Sequence, residues 1–287
     1  TSRAVYPCVF LPYIYKQKSI PQYCPIPAPT PLSNRFARFL PERIAETGKT
    51  PFDETNRSPT YHVSTGPNRL SGAEHAWLHY TALSFTMTHE ATVVDTYQIT
   101  PRVKGFRLRV PGHEFEYDPG QHTTIRFESG NERIVRPYTP TNLPGSEELA
   151  LTIKRYDDGL ASSYMHQKRP GDTVEIGPIE GSLSLADTSR DVAFLASGTG
   201  LTPMMAMLRQ YLREGTGHAH ILLGEKREET IIHRETLNEL AANNPDLSLT
   251  FVLSDPNWEW TGRIGYAQEH LEELFDEFTE RDFYVCG

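Results

Sequence analysis

The chain has few cysteines, no long apolar run and little positive charge in its larger part. Its three cysteines, Cys8, Cys24 and Cys286, are far apart in a sequence of 287 residues. We therefore predict neither a disulfide framework nor a CxxC-type zinc or iron–sulfur site. No apolar run approaches the roughly 20 residues of a transmembrane helix, and no charged leader with an apolar stretch follows Thr1. These absences predict a cytoplasmic protein without a membrane span.

Charge is unevenly distributed along the chain. Residues 1–86 carry nine Lys/Arg and five Asp/Glu, whereas residues 87–287 carry 19 Lys/Arg and 32 Asp/Glu. This acidic balance disfavours nucleic-acid binding, because phosphate contacts require clustered Lys and Arg. Closely spaced histidine pairs occur without further ligands beside them, so we predict no metal site.

Residues 1–86 differ in composition from the rest of the chain. They hold 11 of the 22 prolines and no methionine, since the first methionine is Met87. Proline resists both helices and central strands. We interpret this segment as a non-native upstream extension, with Met87 as the natural start. A genuine, mostly disordered extension is the alternative.

Residues 87–188 have the pattern of short antiparallel strands. Phe106, Leu108 and Val110 alternate with arginines, as in a half-buried strand, and Pro-Gly pairs mark turns. The pattern predicts strands over 92–99, 106–110, 121–127, 133–139, 149–153 and 174–176, and a short helix over 159–168. Such spacing indicates an antiparallel barrel or sandwich.

Residues 189–287 have the pattern of alternating strands and helices. We predict strands over 192–196, 219–223, 247–253 and 283–286, and helices over 203–213, 234–243 and 269–278. Continuous apolar strands that alternate with helices predict a parallel sheet covered on both faces.

The first motif with chemical meaning is Arg136-Pro137-Tyr138-Thr139, at the end of a predicted strand. Strand periodicity places Arg136 and Tyr138 on one face. An arginine fork can grip a pyrophosphate, and a tyrosine can stack on a flat ring. The Thr139 hydroxyl can bond to a ring heteroatom. A surface arginine beside a packing tyrosine is the alternative interpretation.

Two further motifs lie at the ends of strands in the α/β part. The loop Gly198-Thr199-Gly200-Leu201-Thr202-Pro203 follows an apolar strand and opens a helix, so its backbone N–H groups can approach a phosphate. Cys286 ends the last strand, where it can lie against a cofactor ring. A tight strand-to-helix turn and an inert buried cysteine are the respective alternatives.

Together, in this order and spacing, the motifs resemble the ferredoxin–NADP reductase superfamily, over about residues 88–287. The matching segments are Pro119–Gln121, Arg136–Thr139, Ile153–Tyr156, Gly159–Ser162, Gly177–Pro178, Gly198–Pro203, Trp260–Gly262 and Cys286–Gly287. The resemblance implies a six-stranded Greek-key β-barrel that binds FAD over 87–188. A Rossmann-like parallel α/β domain that binds NAD(P) over 189–287 would follow it.

The resemblance also implies roles for individual residues. Arg136 would hold the flavin phosphates, Tyr138 would stack on the isoalloxazine and Thr139 would bond near N5. Cys286 would lie near the nicotinamide C4. Further cofactor-binding residues would be Pro137, Ile153 and Lys154, then Gly159, Leu160, Ala161 and Ser162 at the pyrophosphate, and Gly198, Thr199, Gly200, Thr202 and Pro203 at the nicotinamide nucleotide. FAD is implied rather than FMN.

The sequence departs from the family pattern at two places. Asp158 stands where many relatives have a second glycine, and the chain ends at Gly287, where the family usually continues with a proline and a helix. We therefore expect a C-terminal truncation that affects nicotinamide positioning.

The implied function is that of a flavin-dependent oxidoreductase. A hydride would pass from NAD(P)H to bound FAD, and electrons would continue to a ferredoxin, an oxygenase or another acceptor. A non-catalytic electron-relay subunit and a free-flavin reductase are the alternatives. The choice between NADH and NADPH stays open, since Lys226 and Arg227 share one loop with Glu225, Glu228 and Glu229.

Overall fold

The computed structural model of the protein describes residues 5–7, 88–275 and 278–287. Two six-stranded sheets, one antiparallel and one parallel, make up its framework. The interpretation of residues 1–86 as an extension falls outside the described residues, apart from β1 (Val5–Pro7), which pairs in parallel with the last strand. Over the described part, no helix combines the length and apolar composition that crossing a bilayer requires.

The antiparallel sheet has the strand order β5-β4-β7-β2-β3-β6. Its strands are β2 (His89–Thr100), β3 (Val103–Arg109), β4 (Thr123–Ser129), β5 (Glu132–Tyr138), β6 (Glu148–Lys154) and β7 (Thr173–Ile176). An antiparallel bridge between Pro140 and Leu151 joins the segment after β5 to β6, the strand at the opposite edge. The sheet therefore has the six strands that the barrel prediction requires.

Apolar side chains that alternate along these strands form the core of the sheet. Phe106, Leu108, Leu149 and Leu151 are at most 1% exposed, and burying each large side chain stabilises the fold by about 1.5–3 kcal/mol. Helix α1 (Leu160–Gln167) closes one side of this core. Its Tyr164 ring stacks on Phe127 of β4, with centroids 4.1 Å apart.

The parallel sheet has the strand order β1-β12-β8-β9-β10-β11. The remaining elements are β8 (Asp191–Ser197), α2 (Leu201–Glu214), β9 (Ala219–Glu225), α3 (Arg234–Asn243), β10 (Leu247–Leu253), β11 (Arg263–Ile264), α4 (Leu271–Leu274) and β12 (Arg281–Cys286). All its pairs are parallel. The predicted α/β architecture is confirmed.

Strand β8 lies at the topological switch point of this sheet, since β9 pairs on one side of it and β12 on the other. In open α/β sheets, ligands bind in the crevice outside the carboxyl ends of the strands at such a point. The loop after β8 and the end of β12 border that crevice.

The last predicted helix differs from the structure. In place of a helix over 269–278, a 3-10 turn (Ala267–His270) leads into the single turn of α4, and Phe275 is extended. Phe275 is 1% exposed, and its ring lies edge-on to Phe283 and His220. Burial of this ring on the sheet outweighs the local preference for a longer helix.

The β2–β3 hairpin connects the two sheets. Val103 is 2% exposed within the apolar core on the α2 side of the parallel sheet, and Ile99 packs against the same core. Because this contact is apolar and buried, it fixes the position of the hairpin relative to α2.

Candidate functional site

Arg136 and Tyr138 of β5 lie on one face, as strand periodicity predicts. Arg136 pairs with Ile125 of β4, and Tyr138 pairs with Thr123; both partners are fully buried. Nη1 of Arg136 donates to the Val135 carbonyl at 2.8 Å. Burial raises the pKa of the Tyr138 hydroxyl to about 12. Tyr138 is therefore a neutral aromatic donor at physiological pH.

Tyr156 is a second tyrosine near Tyr138, and the sequence motifs imply no role for it. Its side chain is 52% exposed, and it lies close enough to Tyr138 to influence that hydroxyl's pKa. Lys154 Nζ is 5.9 Å from the Tyr156 ring centroid. Tyr156 lies two residues after the end of β6, inside the matched segment Ile153–Tyr156, and this position is the signal that could have identified it.

Ser162 shapes the turn that precedes α1. Its buried hydroxyl accepts from the Tyr156 N–H and donates to the Gly159 carbonyl, both at 3.1 Å. A Cβ on Gly159 would clash with this hydroxyl and lie 3.0 Å from Cβ of Tyr156. The Ser162 hydroxyl is therefore used within the turn, and the anion-binding capacity lies in the backbone N–H groups at the start of α1.

Residues of α1 and β6 are also joined by side-chain bonds. His166 Nε2 and the Ile153 carbonyl lie 2.8 Å apart, and Lys104 Nζ donates to the His166 carbonyl. These bonds hold the last turn of α1 near β6 and β3. Asp158, the departure from the family pattern, is exposed in the turn before Gly159.

The loop after β8 depends on two glycines for different reasons. Gly198 has φ +53°, a left-handed conformation that favours glycine, and open space surrounds the position of its missing Cβ. Gly200 has an ordinary helical backbone, but a Cβ there would clash with the Cys286 carbonyl and lie 2.7 Å from the Gly287 nitrogen. The loop is therefore packed directly against the end of β12.

The rest of this loop starts α2. The Thr202 hydroxyl donates to the Thr199 carbonyl at 2.9 Å. Pro203 lies in the first helical turn, where its missing N–H costs nothing. The start of α2 continues a 3-10 turn, in which the Leu201 N–H donates to the Gly198 carbonyl. The N–H groups earlier in the loop are therefore the ones that can approach a phosphate.

Cys286 lies 6% exposed in the core on the α2 side of the sheet, together with Tyr284. The backbone carbonyl of Cys286 lies beside Gly200 of the loop. Its assignment beside the nicotinamide C4 stays a prediction.

Strand β6 brings the motifs together. It lies beside the turn Gly198–Gly200. Burial raises the pKa of Glu225 at the end of β9, and the charge of Lys154 at the end of β6 partly offsets this rise. Thr152 Oγ1 is 2.8 Å from Nε2 of His233, which immediately precedes α3. Strand β5, which carries Arg136 and Tyr138, also contacts β6. The Arg136–Thr139 motif and the Gly198–Pro203 loop therefore meet along β6. The sequence alone does not decide a role for Glu225, and it gives no signal for His233.

This arrangement fits two nucleotides. On the barrel side, it offers an arginine fork for a pyrophosphate, two tyrosine rings for a flat ring system and the N-terminus of α1 for phosphate. On the sheet side, it offers a glycine loop with open space at Gly198 and the N-terminus of α2. No group of potential metal ligands occurs among the described residues.

Comparison with known proteins agrees with this geometry. The oxidoreductase FAD-binding domain family matches residues 90–184, and the oxidoreductase NAD-binding domain family matches residues 194–287. Ferredoxin–NADP reductase B of Sorangium cellulosum is 33% identical over 208 residues, which cover 69% of this chain and 85% of the relative.

Two more distant relatives extend the comparison. NADH-cytochrome b5 reductase 1 of Dictyostelium discoideum is 32% identical over 176 residues, covering 58% of this chain and 61% of the relative. The solved structure of the CS-b5R domains of human Ncb5or in its NAD+ form superposes with a TM-score of 0.60 at 26% identity. That match covers 66% of this chain and 58% of the other.

The two family matches and the relative from Sorangium cellulosum define a flavin-dependent NAD(P)H oxidoreductase with FAD as cofactor. The chain belongs to the ferredoxin–NADP reductase superfamily.

Proposed function

We propose that the protein is an FAD-containing reductase that oxidises NADH and delivers electrons to a separate protein acceptor, such as a ferredoxin or an oxygenase component. The observation that carries the proposal is the meeting of both motifs along β6, beside Gly198–Gly200. The names of two relatives, ferredoxin–NADP reductase B and NADH-cytochrome b5 reductase 1, pair a reductase with a protein acceptor and support a protein acceptor here.

Each motif has a role in binding and orientation. Bound FAD would supply the redox chemistry, which is hydride acceptance and electron release singly or in pairs. Arg136 and the N-terminus of α1 would hold its phosphates, and Tyr138, whose buried hydroxyl stays protonated, would stack on its ring. The loop Gly198–Pro203 orients the nicotinamide nucleotide. Holding both reactants in one orientation removes much of the entropic barrier.

We expect the full chain to purify with bound FAD and to be reduced by about one equivalent of NADH in an anaerobic titration followed at the flavin absorbance bands. Oxidised ferredoxin or cytochrome b5 should then restore the absorbance faster than free flavin does. A colourless protein that oxidises NADH only with added flavin would support the free-flavin reductase instead. A yellow protein that NADH does not bleach would support the relay subunit.

The preference for NADH rests on the charges after β9. Arg227 is bound to Asp255, with Nη2 to Oδ2 at 2.9 Å, and Arg234 is bound to Glu228 at 2.5 Å. These two cations are thus paired with carboxylates. An acidic residue near the end of the second strand typically binds the ribose 2′-hydroxyl of NAD, whereas a 2′-phosphate needs a cation. Glu225 ends β9 and supplies such a carboxylate.

Glu225→Gln is expected to narrow a wild-type preference for NADH, raising kcat/KM for NADPH by about tenfold because a charge that repels the 2′-phosphate is removed. Steady-state kinetics with both nucleotides measure the change. Glu229→Gln, at an exposed position of the same loop, is the matched control and should leave the ratio unchanged. Equal ratios in Glu225→Gln and the wild type would rule out this role.

A further inference from the structure

His233 has an unusual backbone. With φ 55° and ψ 30°, it is the one non-glycine residue with positive φ in the described part of the chain. Such a conformation costs free energy for a non-glycine residue, and it persists only where the surroundings fix it. Its carbonyl meanwhile accepts the first hydrogen bond of α3, from the Leu237 N–H at 2.9 Å.

A contact with the barrel accounts for the fixed ring. Nε2 of His233 and Oγ1 of Thr152 form a hydrogen bond of 2.8 Å, and Thr152 is 5% exposed. Burial, reinforced by the charge of Arg209 on α2, lowers the pKa of the imidazole to about 4. The ring is therefore neutral at physiological pH, and a hydrogen bond between neutral buried groups is costly to leave unmade.

The position of Thr152 gives this bond its meaning. Thr152 directly precedes Ile153 and Lys154, and β6 also lies beside Gly198–Gly200. His233 immediately precedes α3, which follows the same β9 that ends in Glu225. The bond thus ties the strand that borders the flavin motif to the domain that carries the nicotinamide motif.

We propose that His233 is a positioning residue that, through Thr152, holds β6 against the α/β domain and so sets the separation of the two nucleotides for hydride transfer. The inference rests on the proposed reduction of bound FAD by NADH. A shift of about 1 Å in such a geometry can lower a rate by about 100-fold. The side chain touches neither reacting group in this assignment and acts through β6.

The test compares three single variants of the full chain. Thr152→Val removes the hydroxyl and keeps the shape. His233→Gly permits the backbone conformation and removes the ring. His233→Gln keeps a polar atom within similar reach. In Thr152→Val and His233→Gly, we expect saturating NADH to reduce bound FAD at least about tenfold more slowly than in the wild type. The FAD content should be retained, and the affinity for NADH should change less than threefold. His233→Gln should recover most of the rate of reduction.

A second measurement is independent of activity. A thermal unfolding experiment on FAD-free protein compares the melting temperatures of the variants. The decrease for the Thr152→Val/His233→Gly double variant should be smaller than the sum of the decreases for the single variants, because each single variant already removes the same hydrogen bond. Additive shifts would overturn the bond. The positioning role would be overturned if NADH reduced bound FAD in both single variants as fast as in the wild type. It would also be overturned if the rate fell only in proportion to the FAD that was lost. If NADH fails to reduce the wild type, the proposed function fails, and the unfolding cycle still decides the bond.

Discussion

Arg136→Ala is expected to release FAD, raising its dissociation constant by about 100-fold, which corresponds to about 2.7 kcal/mol. Arg136 occupies a paired position of β5, opposite Ile125, so the sheet fixes where its side chain starts. Charge-assisted bonds from an arginine fork to phosphate oxygens are among the strongest polar contacts in proteins. Calorimetric titration of the FAD-free protein with FAD, and the ratio of flavin to protein absorbance after purification, measure the loss.

Arg133→Ala is the matched control. Arg133 lies on the same strand but points to its opposite face. Its guanidinium forms an ion pair with Glu175 at 2.6 Å, and both side chains are well exposed. Removing an exposed pair of this kind costs less than about 1 kcal/mol, so FAD should stay bound. Arg136→Lys, which keeps the charge but loses the fork, should lie between them. If Arg136→Ala retained its full yellow colour, its phosphate-binding role would be wrong.

The local elements could be predicted because their signals are local. Helix α3 and strand β10 have the predicted bounds 234–243 and 247–253, and most other strands differ by one to three residues. The helix predicted over 269–278 failed because Phe275 is held by rings from two other strands. The two-residue strand β11 was missed because it is too short to show periodicity.

The site could be predicted as a set of motifs but not as a set of contacts. Sequence placed Arg136 and Tyr138 on one face, because strand parity is a local property. It could not show that the Ser162 hydroxyl bonds within its own turn, or that Thr152 meets His233 81 positions away. Long-range pairs of this kind leave no periodic signal. Strand alternation shows that Tyr284 and Cys286 share one face of β12, but which face of the sheet this is depends on where α2 packs.

Gly200→Ala is expected to slow reduction of bound FAD by NADH at least about 100-fold while FAD stays bound, because misplacement by about 1 Å has effects of this size. The added methyl group would clash with the Cys286 carbonyl, a backbone atom at the end of a paired strand. Since backbone cannot rotate away, the loop or the end of β12 must move. Stopped-flow reduction and NADH titration measure the loss, and flavin content shows whether the barrel site is intact.

Gly198→Ala separates this contact from a general need for flexible backbone. A Cβ at Gly198 would meet open space, but φ +53° is strained for alanine. The cost should be about 1–2 kcal/mol, with a smaller loss of rate than at Gly200, where the backbone is already helical. If both variants lost rate equally, the conformation of the loop would matter more than its contact with β12. If Gly200→Ala were reduced as fast as the wild type, the end of β12 would not position the nicotinamide loop.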